Sequence, residues 1–485
     1  MAAQHYGVLV LGADILGINA AYRVQTQLPN IEYGDLEARS TVGGTWDFWK
    51  YPGLRTDSRV TIYGFQWMPW PKSTTLANSE EINSYIHQAA KKTGIYAKIQ
   101  FGHRVQSTEW STADKCWTVT VDAHGETKIF SASWLINCMG YYTYDQPLKS
   151  PIPGLNDFQG DIIHPQFWKE DTDWAGKRIA LIGSGATAIT ILPNLVDKAK
   201  RVTLLQRSPS YVLPIPSSPS LERRLSWWLP FWLSSALLWW IRVIEEAMLV
   251  AQIKKNGPKL RNLLMGVMQK VLPKRVDIKH FTPGYLPGEQ RVRVCPDADF
   301  IRAFEHKHVD IITDTIETVT STGIRTTGGN FIEADMIITA TGHNINLWGG
   351  VDPVLDGKSV VLGEGFVWRS CMIEGIPNAG FISGYISGTW TPGADIGTRT
   401  FIRVIKHCQE VGASEAIPTV GDEEARAKLP RERRMLCNKS TYMQAAQHRL
   451  PIIADIGPWY KGTSWVSDFW RTFFSNVTDG MIYLT

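Results

Sequence analysis

The sequence predicts a mixed α/β chain with two nucleotide-binding units and a helical insertion, and three observations carry that expectation. The apolar run Tyr6–Leu11 leads into Gly12-Ala13-Asp14-Ile15-Leu16-Gly17, a helical stretch to about Leu28, and a second apolar run, Ile31–Leu36, closed by Glu37. The same strand–turn–helix–strand plan returns at Ile179–Ile182, Gly183–Ala188 and Arg201–Leu205. Later, Asp335-Met-Ile-Ile-Thr-Ala-Thr-Gly342 reads as another buried strand, ending in a turn that returns the chain to its first unit. A glycine-rich turn between strand and helix marks a dinucleotide site, because glycines permit the tight turn, the approach of backbone to a pyrophosphate, and close helix–strand packing. The expected fold is therefore α/β with two Rossmann-type dinucleotide-binding domains. Residues 1–145 form the first part of one domain, 146–342 form the second with a helical insertion at about 221–275, and 343–485 complete the first.

At 485 residues the chain is long enough for two or three domains with substantial cores. A net charge of +4 implies no polyanionic partner, so nucleic-acid binding has no support. Cys116, Cys138, Cys295, Cys371, Cys408 and Cys437 are scattered without C-x-x-C pairing, which suits a reducing, cytoplasmic setting and argues against disulfides and a structural metal. The first apolar run lacks the basic flank of a signal peptide. One segment runs against a purely soluble reading: Trp227 to Ile241 is nearly all apolar and flanked by Arg223, Arg224 and Arg242. It is shorter than the ~20 residues a span needs and carries Pro230, so it reads either as a helix covering the site or as a peripheral membrane contact.

The first glycine turn departs from its pattern. Gly12 and Gly17 are in place, but Asp14 stands where a second glycine is expected. An ionised carboxylate ~4 Å from a phosphate costs on the order of 4 kcal/mol at an effective dielectric of ~20. That would weaken binding by about three orders of magnitude. Alternatively the carboxylate points away, is protonated or is bridged by water. Glu37, twenty residues past Gly17, stands where an acid accepts hydrogen bonds from an adenosine ribose. In the second unit, Gly183, Ser184 and Gly185 would cradle a pyrophosphate at a helix N-terminus. Arg207-Ser208, just past the following strand, suits a ribose 2′-phosphate, so NADPH is preferred to NADH.

Ahead of the second turn, Phe158, Gly160, His164 and Trp168 spell F-x-G-x-x-x-H-x-x-x-W. With Gly43-Gly44-Thr45-Trp46 and Tyr51-Pro-Gly-Leu-Arg-Thr-Asp57, this fingerprint resembles the Baeyer–Villiger monooxygenases among class B flavoproteins. The elements F-T-P-x-Y at Phe281 and G-Y-x-x-x-x-W from Gly384 to Trp390 are closest to the thioamide-activating branch. Lys169 stands where relatives often carry proline. The resemblance implies FAD on the first unit and NADPH on the second. It places Gly44, Thr45, Trp46, Tyr63 and Val105 at the flavin, Thr187 at the nicotinamide cofactor, and His164 and Trp168 in the link between domains. Arg291 is the implied catalytic cation, held by Asp57. The implied reaction inserts one atom of O2 into a small apolar ketone, giving an ester or lactone, or oxidises a sulfide. If Asp14 excludes FAD, a redox-silent relative catalysing an isomerisation or cyclisation is the alternative, and a membrane-associated binding protein is the third.

Overall fold

The computed structural model describes residues 3–386, 388–436 and 438–485, so Cys437 lies outside the described residues. Strand β1 (Gln4–Leu11) is buried along its last four residues and runs into helix α1 (Ile15–Gln27). It begins two residues before the expected start. Strand β2 (Tyr33–Glu37) begins two residues after its own, because Ile31 N–H closes a turn on the Leu28 carbonyl at 3.0 Å. β1 pairs in parallel with β2 and with β6 (Glu126–Asn137), and β2 pairs with β3 (Ile99–Phe101). Antiparallel pairing continues through β4 (His103–Ser111), β5 (Cys116–Ala123) and β6.

Three late segments finish this nine-stranded sheet, one of them Lys358–Ser359, which pairs antiparallel with Val354–Leu355. Val354–Leu355 extends it beyond β4, and Ala379–Phe381 lies parallel to β6. A second, wholly parallel sheet has the order β10-β9-β8-β11-β7, comprising β7 (Asp161–Ile163), β8 (Arg178–Ile182), β9 (Arg201–Gln206), β10 (Val309–Thr313) and β11 (Met336–Thr339). β8 and β11 are apolar without alternation, as strands covered on both faces must be. Helix α2 (Ala186–Leu195) follows β8. On these two sheets we propose the domain division at about 145 and 342.

The insertion is two helices, α3 (Ser220–Trp228) and α4 (Phe231–Val271). Pro230 divides the apolar run, and Leu229 N–H ends α3 on the Leu225 carbonyl. α4 is kinked at Asn256 (φ −135°, ψ 42°), two residues before Pro258, whose ring nitrogen has no hydrogen to donate. No helix among the described residues is long and apolar enough to cross a membrane. Helix α5 (Trp390–Val411) then packs on α1, and a final helix, α6 (Trp465–Phe474), packs on α5 and α4.

The α1–α5 contact is polar at its centre. Asp395 accepts from Arg23 Nε at 2.7 Å, Arg23 Nη2 at 3.1 Å, Asn19 Nδ2 at 3.0 Å and Arg399 Nε at 2.8 Å. Burial alone would raise the Asp395 pKa, but Arg23 and then Arg399 hold it below the usual carboxylate range. Removing one member of such a buried group strands the opposite charge. Asp395→Ala is therefore expected to lower stability by roughly 3–5 kcal/mol, read as the midpoint of urea unfolding. A loss under about 1 kcal/mol would mean that water replaces the carboxylate without penalty.

Candidate active site between the two sheets

The carboxyl ends of the parallel strands face one cleft of about 670 Å³. Both glycine turns open onto it, but they do so differently. Gly12 (φ +102°) can only be glycine, since a Cβ would lie 2.8 Å from the Cys138 carbonyl. At Gly17 a Cβ would reach 1.7 Å from the Gly12 carbonyl. In the second turn, Gly183 (φ +136°) sits against the Ala340 carbonyl, whereas a Cβ on Gly185 would meet nothing within 4 Å. Gly185 therefore leaves open space beside the α2 N-terminus. Asp14, its counterpart in the first turn, fills that space with a side chain.

The position of that side chain bears directly on the alternatives the sequence leaves open. Asp14 does not simply aim its charge outward from the turn; it is the N-cap of α1, and Oδ1 accepts from Leu16 N–H at 2.8 Å and Gly17 N–H at 3.0 Å. Such capping satisfies donors that a helix otherwise leaves free. Burial pushes the Asp14 pKa up to about 7, helped by Glu37 and opposed by the two N–H groups. Asp35, fully buried in β2 with no hydrogen-bond partner on either carboxyl oxygen, is raised by burial and then by Glu37 and Asp14. Glu37 is also raised, chiefly by burial, although Ala13 N–H (2.7 Å) and Arg39 N–H (2.8 Å) donate to it. Three carboxylates thus share the space under one turn, and burial favours their protonated forms.

The other expected residues are distributed around this centre. Gly44 (φ +53°) backs directly onto Asp14, since a Cβ there would lie 2.7 Å from the Asp14 Cβ. Thr45 Oγ1 lies 3.0 Å from the Tyr144 hydroxyl, and Trp46 Nε1 donates to the Tyr63 hydroxyl at 2.7 Å. Ser184 Oγ donates to the Ser208 carbonyl at 2.8 Å, tying the second turn to the end of β9. Arg207, exposed on the cleft rim with Thr187 deeper in the same lining, donates to Thr441 Oγ1 at 2.6 Å. Arg291 Nη2 donates to Asp57 Oδ1 at 2.9 Å and to Ser58 Oγ at 3.1 Å. Burial alone would lower the Arg291 pKa, but Asp57, followed by Tyr141, Glu246 and Tyr142, raises it, so the guanidinium stays charged.

Val105 and the fingerprint residues lie outside the cleft lining. Val105 is half-buried in β4, packed on the sheet face opposite α1. Phe158 is buried with its ring against Gly160, where a Cβ would also strike the Asp335 carbonyl at 2.3 Å. Trp168 packs edge-on against Trp174, and His164 caps a short turn by accepting from Gln166 N–H at 3.3 Å. Phe158 and Gly160 set how the chain enters β7, and His164 and Trp168 how it leaves.

An aromatic wall was not found from sequence. Tyr141, Tyr142, Trp49 and His343 pack together, with His343 stacked on Trp49 at 4.7 Å and burial lowering its pKa to about 3. A signal existed: Tyr141 and Tyr142 follow the carboxyl end of β6, and His343 follows that of β11, where open α/β sheets bind ligands.

A cleft between two βαβ units, each presenting a helix N-terminus, with a fixed cation between them, defines a two-dinucleotide oxidoreductase. Residues 51–243 match the family described as Flavin-binding monooxygenase-like. The chain is 39% identical over 411 residues to the FAD-containing monooxygenase EthA of Mycobacterium tuberculosis (strain ATCC 25618 / H37Rv), covering 84% of each chain. It is 37% identical over 485 residues to the protein of that name from Mycolicibacterium smegmatis, covering 99% of this chain and 97% of the other. Among solved structures, oxidised steroid monooxygenase bound to NADP superposes with a TM-score of 0.77 at 22% identity, over 99% of this chain and 100% of that one. The chain belongs to the flavin-dependent monooxygenase family and has the fold of its Baeyer–Villiger members.

The Asp14 environment sets a sign for stability against pH. Folded Asp14 keeps its proton up to about pH 7, whereas the unfolded chain releases it near pH 3.8. The folded form therefore binds more protons between those values, and Asp14's contribution declines as pH rises through that window. Asp14→Asn keeps a capping oxygen but cannot ionise, so it should flatten this part of the Tm–pH curve. The difference between variant and parent should grow by on the order of 2 kcal/mol from pH 4 to pH 8, allowing for partial exposure. Parallel curves would show that Asp14 ionises freely.

Proposed function

We propose that the chain is an FAD- and NADPH-dependent monooxygenase that inserts one oxygen atom into a small apolar ketone or oxidises a sulfide. The Arg291–Asp57 pair, fixed at 2.9 Å in the cleft between the two turns, carries this reading. The residues fit both cofactors. On the nicotinamide side, the open space at Gly185 admits a diphosphate to the α2 N-terminus, and Arg207 supplies a cation for a 2′-phosphate. On the flavin side, Glu37 is held by two N–H groups and keeps lone pairs for a ribose. A protonated Asp14 presents a donor, not a charge, to a diphosphate. When bound, NADPH-reduced FAD supplies the activation of O2.

The chain's own contribution is charge and shape. Arg291 supports the negative oxygen that develops as a carbonyl carbon becomes tetrahedral, and Asp57 and Ser58 keep the guanidinium from swinging away. Tyr141, Tyr142, Trp49 and Trp390 give that charge a largely apolar surround and limit water in the cleft. The redox-silent alternative rested on Asp14 as a charge against FAD, and the capping geometry gives Asp14 another role.

Arg291→Ala is expected to lower oxygenated product formation by roughly 10²–10³-fold while NADPH oxidation continues with hydrogen peroxide release. Arg291→Lys should restore part of the coupling. Equal loss of product and NADPH oxidation would place Arg291 in cofactor binding instead. Separately, if FAD binds the protonated Asp14 form, its affinity should fall about tenfold per pH unit above pH 7. Flavin fluorescence titrations should show that slope in the parent and a level line in Asp14→Gly and Asp14→Asn, with higher occupancy at pH 8. An unchanged slope in both variants would remove Asp14 from the flavin site.

A further inference from the structure

Outside the cleft lies an apolar surface that the proposed reaction does not use. Trp227 and Trp228 at the end of α3 are 87% and 82% exposed, and Phe231 and Trp232 open α4 in the same condition. The surface continues on the other end of the sequence. Ring contacts run unbroken from Trp240 to Trp465 (5.1 Å), Phe469 (4.7 Å), Trp470 (6.1 Å) and Phe474 (5.0 Å). Trp470, Phe473 and Phe474 are exposed and share one side of α6, being spaced three and four residues apart.

This surface is rigidly mounted. Glu222 of α3 accepts from Arg242 Nε at 2.9 Å and Nη2 at 2.6 Å, an ion pair buried between α3 and α4. Trp239 packs edge-on against Trp465 at 4.8 Å, so α4 and α6 hold each other. Exposed aromatic rings on an anchored frame are not fraying ends. A contiguous apolar patch of this kind marks an interaction face.

Charge identifies its partner. Residues 220–271 carry eight Lys and Arg against three Asp and Glu, more positive than the whole chain's +4. Of those charges, Glu222 and Arg242 offset each other in a buried pair that Glu245 joins from its exposed side, and Glu246 is turned inward, accepting from Thr389 N–H at 3.0 Å and Oγ1 at 2.6 Å. Arg223 and Arg224 stand exposed just before the paired tryptophans, and Lys254 and Lys255 stand exposed further along α4. A second cavity, about 550 Å³, opens between α4 and α6. Its lining carries the exposed Lys254 and Arg471, with Arg433 paired to Asp455 and with Arg369 and Lys461 buried behind them. Interfacial tryptophans with basic neighbours, on helices too short in apolar length to span, are the composition of a surface that lies on a bilayer.

We propose that α3, the first half of α4 and α6 form a docking face for an anionic lipid bilayer, with the tryptophans seated at headgroup depth and the basic residues against lipid phosphates. This face is independent of the chemistry proposed for the cleft. It nonetheless reaches the edge of the cleft, because Glu246 of α4 holds Thr389 next to Trp390 of the cleft lining. An apolar substrate dissolved in the bilayer would then be concentrated next to the enzyme.

The test uses the purified full-length protein with flavin bound and two sets of vesicles, phosphatidylcholine alone and phosphatidylcholine with phosphatidylglycerol. Flotation with the anionic vesicles is expected, with a blue shift of tryptophan emission and at least tenfold weaker partitioning at high salt. Trp227→Ser with Trp232→Ser should lower partitioning at least tenfold and leave turnover of a water-soluble substrate unchanged. Arg223→Glu with Arg224→Glu, which leaves every aromatic ring in place, should remove the preference for anionic vesicles. Absence of flotation with both vesicle types would overturn the proposal. So would a dimer in sedimentation analysis that the tryptophan variant converts to monomer, because a second copy would then be the occupant.

Discussion

The ion pair between Arg291 and Asp57 joins segments 234 residues apart and sits where the two sheets come together. Asp57 follows the glycine loop of the first unit, and Arg291 comes from the stretch after the helical insertion. Bringing them to 2.9 Å requires both turns to face one cleft and both helix N-termini to approach it. Both groups are partly open to the cleft, so solvent still screens them and neither bears the full cost of a buried charge. What the pair contributes is position. A guanidinium tethered by Asp57 and Ser58 is already aimed when negative charge appears, and its alignment costs nothing at that moment.

The two glycine turns solve the same problem by different means. At the second, Gly185 leaves the α2 N-terminus open, and any anion must supply the acceptor. At the first, the protein supplies its own acceptor in Asp14 and surrounds it with Glu37 and Asp35, so burial drives all three toward neutrality. A self-capped helix holds its shape without ligand. A neutral cap can still donate to a phosphate oxygen. The substitution therefore changes how binding depends on protons more than it changes the scaffold.

Much of the fold was legible because parallel strands covered on both faces leave plain apolar runs, as at Ile179–Ile182 and Met336–Thr339, and glycine turns follow them. Gly12, Gly17 and Gly183 were readable for a physical reason: backbone carbonyls at Cys138, Gly12 and Ala340 leave no room for a Cβ. What escaped the sequence was direction. Nothing in G-x-D-x-x-G says that the Asp14 oxygen turns back onto Leu16 and Gly17. The aromatic wall of Tyr142, Trp49 and His343 comes from three separate segments and has no local pattern. Val105 and Phe158 carried family weight, yet they pack against strands and linker and lie outside the cleft lining. The aromatic run at Trp227 was visible, but its continuation onto Trp470 and Phe474 depends on α6 meeting α4 in space.

Asp395 bonds Asn19 across 376 residues, and Ala379–Phe381 lies alongside β6. The N-terminal unit thus lacks a strand, a helix and the counter-charge of Arg23 until more than four-fifths of these 485 residues have been made. The five-stranded sheet, whose strands all lie between Asp161 and Thr339, has no such wait. On the ribosome the middle of this protein can therefore mature before its beginning, and the β1–α1 layer spends most of synthesis unfinished. Shielding of that layer by chaperones, more than the speed of its local folding, would then set the yield of native enzyme.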